Sequence, residues 1–290
     1  MTDSDHTIGI VVSRADSASE HIHEQLLDVA DWTTVSDDDR PAADGGGDVH
    51  RIDGFEMRSF EEWHLELDGV ATVFDDPDLV VFASRHSGKT GALLTAHHTG
   101  NFGPAEYGGQ DRTLARAAPN AHSRVLSALA DHAPEDYEVG MECTHHGPTD
   151  VGAPSLFVEV GSGPEQWDDP NAARAVARAI LDLRGVAVEK PRENGDGTTR
   201  RHLVGFGGNH YAPRFERVVR DTDWSIGHIA ADWGLDELGD PLGHEDVLRA
   251  AFEESGAEYA LIDGTHPRVG RAIDELGYGT VGETWLRVTT

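Results

Sequence analysis

The stretch Thr7–Ser13, TIGIVVS, followed by Asp16–Ala30, DSASEHIHEQLLDVA, decides the fold class. The first run is apolar at nearly every position, as a strand covered on both faces requires. The second places Ala18, Ile22, Leu26, Leu27 and Ala30 at a spacing that gives a helix one apolar face. Asp16 stands where an N-cap carboxylate accepts from free backbone N–H groups in the first turn. Outward from this pair the alternation continues. Strands are expected at Leu79–Ser84, Ala92–His97, Tyr137–Cys143, Ser155–Gly161, His202–Phe206, Trp224–Ile229 and Tyr259–Asp263. Helices are expected at Ala121–His132, Pro170–Leu183, Asp246–Glu254 and Pro267–Leu276. Strands alternating with helices predict an α/β fold with a mixed or mostly parallel sheet and helices on both faces. Two acidic, Gly-bearing stretches, Ser36–Asp48 and Val186–Thr199, read as inserted loops. Neither has the length of a linker, so residues 1–290 are expected to form a single α/β domain.

The chain carries 53 Asp and Glu against 23 Lys and Arg, a net charge of −30. Lysine occurs only at Lys89 and Lys190. At about 1 M salt the Debye length is roughly 3 Å, so such a surface repels itself little. At low salt the same charge opposes compaction. The acidity therefore reads as adaptation to a salt-rich cytoplasm, and it does not exclude an RNA partner recognised by hydrogen bonds and shape. A hydrophobic fraction of 38% is too high for a disordered acidic chain. Cys143 is the only cysteine, which excludes a disulfide scaffold. No apolar run approaches the roughly 20 residues of a membrane helix, and the N-terminus lacks the pattern of a signal peptide. A cytoplasmic protein without a membrane partner is expected.

Familiar motifs fail on inspection. Ala83–Thr90, ASRHSGKT, misses the first glycine of a phosphate-binding loop, and the glycines after Lys89 disfavour the helix that such a loop must open. Gly205–His210, GFGGNH, ends in histidine where the dinucleotide fingerprint needs a small residue. Cys143 lies at the end of an apolar run, where a thiol is ordinarily a small buried hydrophobe.

The 17 histidines are more telling. His97 and His98, His145 and His146, His210, and His228 lie at or just after expected strands, most of them among Gly, Pro, Thr or Asn. Loops at the carboxyl ends of strands converge on the ligand crevice of an α/β sheet. Imidazoles meeting there would form a metal site or an acid–base site, with Glu142 and Glu159 as nearby carboxylates. No H-E-x-x-H or paired C-x-x-C pattern is present, so any ligand set must come from separate segments. Gly161–Trp167, GSGPEQW, offers backbone N–H groups to an anion or serves as a tight turn before the next helix.

Taken together, SRHSG (84–88), LLTAHHTGNFG (93–103), ECTHHGPT (142–149), FVEVGSGPEQW (157–167) and GFGGNHYAPR (205–214) resemble, in order, the signature segments of the archaeal and plant type of D-aminoacyl-tRNA deacylase. The opening IGIVVSRADSAS and the later GHI segment also fit. The resemblance implies a fold similar to peptidyl-tRNA hydrolases and phosphorylase-like proteins, zinc dependence, and hydrolysis of the ester that joins a D-amino acid to the 3′ end of tRNA. Carried onto this chain, it implies a site at His97, Asn101, His145, His146 and His210. The expected metal set is His97, His145, His210 and Glu159, with His146, Glu142 and Asn101 as catalytic groups. Arg85, Lys89, Arg214, Gly161 and Ser162 are expected to contact the substrate, Zn²⁺ is the expected cofactor, and D-aminoacyl-tRNA is the expected partner of a monomer that binds no DNA. Two other readings stay open: a zinc-dependent amidohydrolase or peptidase acting on small molecules, and a non-catalytic tRNA-binding protein.

The charge balance gives a direct expectation. The thermal unfolding midpoint, followed by circular dichroism, falls as KCl is lowered from about 1 M to about 0.1 M. A midpoint independent of salt contradicts the solvent reading of the acidity.

Overall fold

Strand β1 (Ile8–Ser13) has parallel neighbours on both sides and is buried at every position, with helix α1 (Ser17–Val29) packed on it. Ile10 is paired with Met57 of β4 (Phe55–Phe60) on one side and with Val81 of β5 (Leu79–Arg85) on the other. β5 in turn pairs in parallel with β8 (Ser155–Gly161), likewise wholly buried. A parallel strand buried on both faces reads as a continuous apolar run, which is why these segments are plain in the sequence. Each fully buried Val, Ile, Leu or Phe contributes about 1.5–3 kcal/mol.

The computed structural model describes residues 7–186 and 201–289. Two compact units divide them. The first comprises the chain through Ala96, Arg124–Gly140 and Val151–Val186; the second comprises His97–Ser123, Met141–Asp150 and the residues from Arg201 on. The chain passes between units at the end of β6 (Leu93–His97), inside α2 (Pro119–His132) and at the end of β7 (Glu138–Met141), so neither unit is a contiguous stretch.

With β2 at Thr33–Asp37 and β3 at Gly47–Ile52, the first unit is built on an eight-stranded sheet in the order β2-β3-β4-β1-β5-β8-β6-β7. Helix α1 (Ser17–Val29) buries Ala18, Ile22 and Leu26 and packs on β1, β5 and α4 (Pro170–Leu181). Asp16 caps α1 as expected, accepting from the N–H groups of Ala18 and Ser19. Burial raises the Asp16 pKa to about 6. The stretch read as a loop at Ser36–Asp48 is the tip and flanks of an antiparallel hairpin, β2 (Thr33–Asp37) and β3 (Gly47–Ile52). β2 lies at the sheet edge and is largely exposed, so its residues lack an apolar signal. Apart from Val186, the Val186–Thr199 loop lies outside the described residues.

The second unit holds a four-stranded parallel sheet in the order β10-β9-β11-β12. These strands are Trp224–Ala230, Arg201–Gly207, Tyr259–Asp263 and Gly279–Val281 respectively. Helices α5 (Pro213–Asp221), α6 (Asp232–Leu238), α7 (Glu245–Ser255) and α8 (Pro267–Leu276) connect them. Phe206, Leu248, Phe252 and Ile273 centre the core, with Tyr278 stacked on Phe252. The connection order reverses between β9 and β11, the position beyond whose carboxyl ends such sheets bind ligands. Gly207–His210 leaves β9 at that end. Among the described residues no helix is long and apolar enough to cross a membrane.

Candidate metal centre

Three segments of the second unit supply the histidines: His97–Asn101, Glu142–Pro148 and Gly207–His210. Backbone hydrogen bonds tie them together. The Cys143 N–H donates to the His210 carbonyl (2.8 Å), and the Gly100 N–H donates to the His146 carbonyl (2.8 Å). The Gly147 N–H donates to the Tyr107 carbonyl (2.9 Å). At this crossing a Cβ on Gly147 would lie 2.4 Å from the Gly109 nitrogen, so the close approach demands glycine. His146 takes a left-handed backbone conformation, φ 48°, which is strained for a side chain of its size. That turn lets two sequence neighbours, His145 and His146, present rings to one cluster.

The imidazoles converge closely. Ring centroids lie 4.2 Å apart for His97 and His145, 4.8 Å for His97 and His146, and 4.4 Å for His145 and His146. In each ring Nδ1 faces a nearby main-chain carbonyl: His98 for His97 (3.0 Å), Cys143 for His145 (2.8 Å) and Gly147 for His146 (2.7 Å). A carbonyl only accepts, so the proton of each ring sits on Nδ1 and the Nε2 lone pair is directed elsewhere. This arrangement is the one by which carbonyls orient metal-binding histidines. Burial, reinforced by His97 and His146, drives the His145 pKa well below its ordinary value, which favours the neutral imidazole that a metal requires. Ligand atoms of His97, His145 and His146 lie within 4.8 Å of one another, so this set fits a zinc ion with a fourth position for water or substrate. Cys143, His145 and His210 form an overlapping second set.

His210 differs in character. Its Nε2 lies 2.7 Å from Glu142 Oε2, and its Nδ1 lies 3.5 Å from the Cys143 sulfur. Burial alone would lower its pKa, but the contacts with Cys143 and Glu142 outweigh it and hold His210 at about 10. His210 is thus a cation paired with a buried carboxylate, whereas His145 is held neutral and His97 and His146 share its Nδ1-to-carbonyl orientation. The His210 side chain is 31% exposed, which leaves the cluster open to solvent on that side. Glu142 Oε2 also lies 3.8 Å from His145 Nε2.

Other residues singled out in the sequence are distributed more widely. Asn101 sits in the second unit and uses its amide to tie the following loop, donating to the carbonyls of Gly108 and Gln110. Arg214 is engaged with Asp263 and Glu283. Glu159, Arg85, Lys89, Gly161 and Ser162 belong to the first unit. There Glu159 pairs with His86 (3.7 Å), and the Arg85 guanidinium is clamped between the rings of Trp63 and Trp167 (4.4 and 4.6 Å). Lys89 is exposed and no helix follows it, as the failed phosphate-loop pattern implies. The Ser162 hydroxyl meets the Thr90 hydroxyl.

Thr144 and His228 were not readable as a pair from the sequence. The His228 Nε2–H donates to the Ala115 carbonyl (2.8 Å), so its Nδ1 accepts from the Thr144 hydroxyl (3.1 Å). The same hydroxyl accepts from the Ile229 N–H (3.0 Å), and the Thr144 N–H donates to the Ile229 carbonyl (2.9 Å). Burial lowers the His228 pKa to about 4, which keeps it neutral in this role. Thr144 stands between Cys143 and His145, so this clamp fixes the loop that carries them. His98 joins the same buried layer through the Gly227 carbonyl and the His122 ring.

A family model described as D-aminoacyl-tRNA deacylase matches residues 73–278. A D-aminoacyl-tRNA deacylase of Haloarcula marismortui is 59% identical over 287 residues, which cover 98% of this chain and 63% of that protein. One of Natronomonas pharaonis is 58% identical, with 98% and 62% covered. The chain thus spans less than two thirds of the length of these relatives. The acidic composition fits the halophilic sources of such relatives. A crystal structure of a conserved protein of unknown function superposes with a TM-score of 0.82 at 29% identity, covering 98% of each chain.

The clamp generates a stability prediction. Thr144→Val leaves the Ile229 N–H and His228 Nδ1 buried without their partner, at a cost of about 1–3 kcal/mol, whereas Thr144→Ser keeps the hydroxyl and loses less. Denaturant unfolding at high KCl measures both. A Thr144→Val variant as stable as the parent chain contradicts the clamp.

Proposed function

This chain belongs to the D-aminoacyl-tRNA deacylase family, and from that premise we propose that it hydrolyses the ester of D-aminoacyl-tRNA, releasing the D-amino acid and tRNA. The observation that carries the reading is the set of three imidazoles whose Nδ1 protons are committed to carbonyls, next to an imidazolium–carboxylate pair. The residues suit Zn²⁺, which we take as the cofactor. His97, His145 and His146 would hold it through Nε2. Bound there, zinc supplies a Lewis acid and a water acidified to a pKa of about 7.

The chain's own groups do the rest. Ester cleavage generates a tetrahedral oxyanion and then a ribose oxygen that needs a proton. His210, cationic and partly exposed, is the group able to donate to either. Glu142 holds it in place and compensates its charge. The carbonyl of Cys143, not Glu142, orients His145. This assigns His210 to proton donation rather than to metal binding, and His146 to the metal. Arg85 and Lys89 remain as contacts for substrate phosphates, while Arg214, tied to Asp263 and Glu283, serves the fold. The enzyme works on the 3′ end of tRNA in the cytoplasm, as a monomer, without DNA or membrane partners.

The test uses tRNA charged with D-tyrosine or L-tyrosine at high KCl, with and without chelator. Release of D-tyrosine is expected to exceed that of L-tyrosine, to stop after metal removal and to return with zinc. Equal cleavage of both esters, or of neither, contradicts the proposed function. Faster turnover of free D-aminoacyl amides than of charged tRNA favours a small-molecule hydrolase instead.

A further inference from the structure

The large apolar side chains exposed among the described residues include Leu27, Val35, Tyr107, Trp233 and Val288. Both aromatic members of this set attach to the metal-centre loops. Trp233 is 40% exposed and its ring lies 6.4 Å from that of His210, tilted by 31°. Tyr107 is 68% exposed, and its carbonyl accepts from the Gly147 N–H beside His146. An exposed indole beside the metal-centre loops offers an apolar face that a ligand can cover.

Trp233 is held firmly. It lies in the first turn of α6, and its neighbour Asp232 accepts from the Gly208 N–H (3.0 Å) and pairs with His266 (3.1 Å). The Asp232 N–H donates back to the Gly208 carbonyl (2.8 Å). These bonds fix the start of α6 to the turn that carries His210. The backbone of Trp233 is therefore fixed relative to the proton donor, and a platform on an ordered main chain loses less entropy on binding.

We propose that Trp233 is a stacking platform for a base of the single-stranded 3′ end of the RNA substrate. The inference rests on the deacylase reading, because the occupant must adjoin the scissile ester at the His210 side of the cluster. A chain with net charge −30 gains little from phosphate attraction, and high salt weakens that attraction further. Stacking of a base on an aromatic face needs no net charge and tolerates any base. An unpaired RNA end offers its bases for this mode of recognition.

The experiment compares Trp233→Ala and Trp233→Phe with the parent chain on D-tyrosyl-tRNA, reading kcat and KM separately at high KCl. Tryptophan fluorescence of the parent and of Trp233→Phe is titrated with the trinucleotide CCA. Trp233→Ala is expected to raise KM about tenfold with little change in kcat, and Trp233→Phe to restore most of the affinity. The parent fluorescence is expected to be quenched by CCA, with most of the quench lost in Trp233→Phe. An unchanged KM in Trp233→Ala, with the parent active, overturns the platform and leaves the deacylase reading standing. A parent inactive on charged tRNA overturns the deacylase reading. The CCA titration then decides the platform alone, and absence of quench overturns it, as it does if Trp233→Ala does not fold.

Discussion

Three main-chain carbonyls, those of His98, Cys143 and Gly147, determine what the histidine cluster can do. Each accepts a hydrogen bond from Nδ1–H of a cluster ring, so tautomer and orientation are set by the backbone. A side-chain partner could rotate away, whereas a carbonyl inside a hydrogen-bonded loop cannot. The constraint is local in sequence: each carbonyl belongs to a residue within two positions of the ring it holds. What must be supplied from farther away is the register of the loops, and this comes from Thr144, His228, Ala115 and Ile229.

The parallel sheet explains why such loops exist. In the second unit the β9 end delivers Gly207–His210, and the excursions His97–Ser123 and Met141–Asp150 bring the other histidines into the same unit. The strained backbone at His146 follows from the same demand, since neighbouring residues otherwise direct their side chains apart. The contrast between His145, kept neutral, and His210, kept cationic, arises from surroundings only a few ångströms apart. Burial and the neighbouring imidazoles act together on His145; at His210 a thiol and a carboxylate outweigh burial. Separation of protonation states between adjacent groups is how a site divides ligand and acid–base roles.

Much of this was legible in the sequence, for identifiable reasons. The buried strands Ile8–Ser13, Leu79–Arg85 and Ser155–Gly161 are apolar runs, and Asp16 marks its helix start. The edge hairpin around residues 33–52 carries a weak signal, because an exposed edge strand lacks an apolar run. Interleaving of two units leaves no linker in the sequence to mark them. The convergence of His97, His145, His146 and His210 followed from their loop positions. Their division of labour did not, since it turns on which nitrogen meets a carbonyl. Thr144 and Trp233 were unreadable for a similar reason: one threonine and one tryptophan become informative only when their neighbours in space are known.

The most direct test of the metal centre is X-ray absorption at the zinc edge of the zinc-loaded chain. A centre held by His97, His145 and His146 gives a shell of nitrogen and oxygen neighbours at about 2.0–2.1 Å with imidazole scattering beyond it. A sulfur neighbour at about 2.3 Å would place the ion on Cys143 instead, and failure to retain zinc would remove the centre altogether; either result contradicts the account.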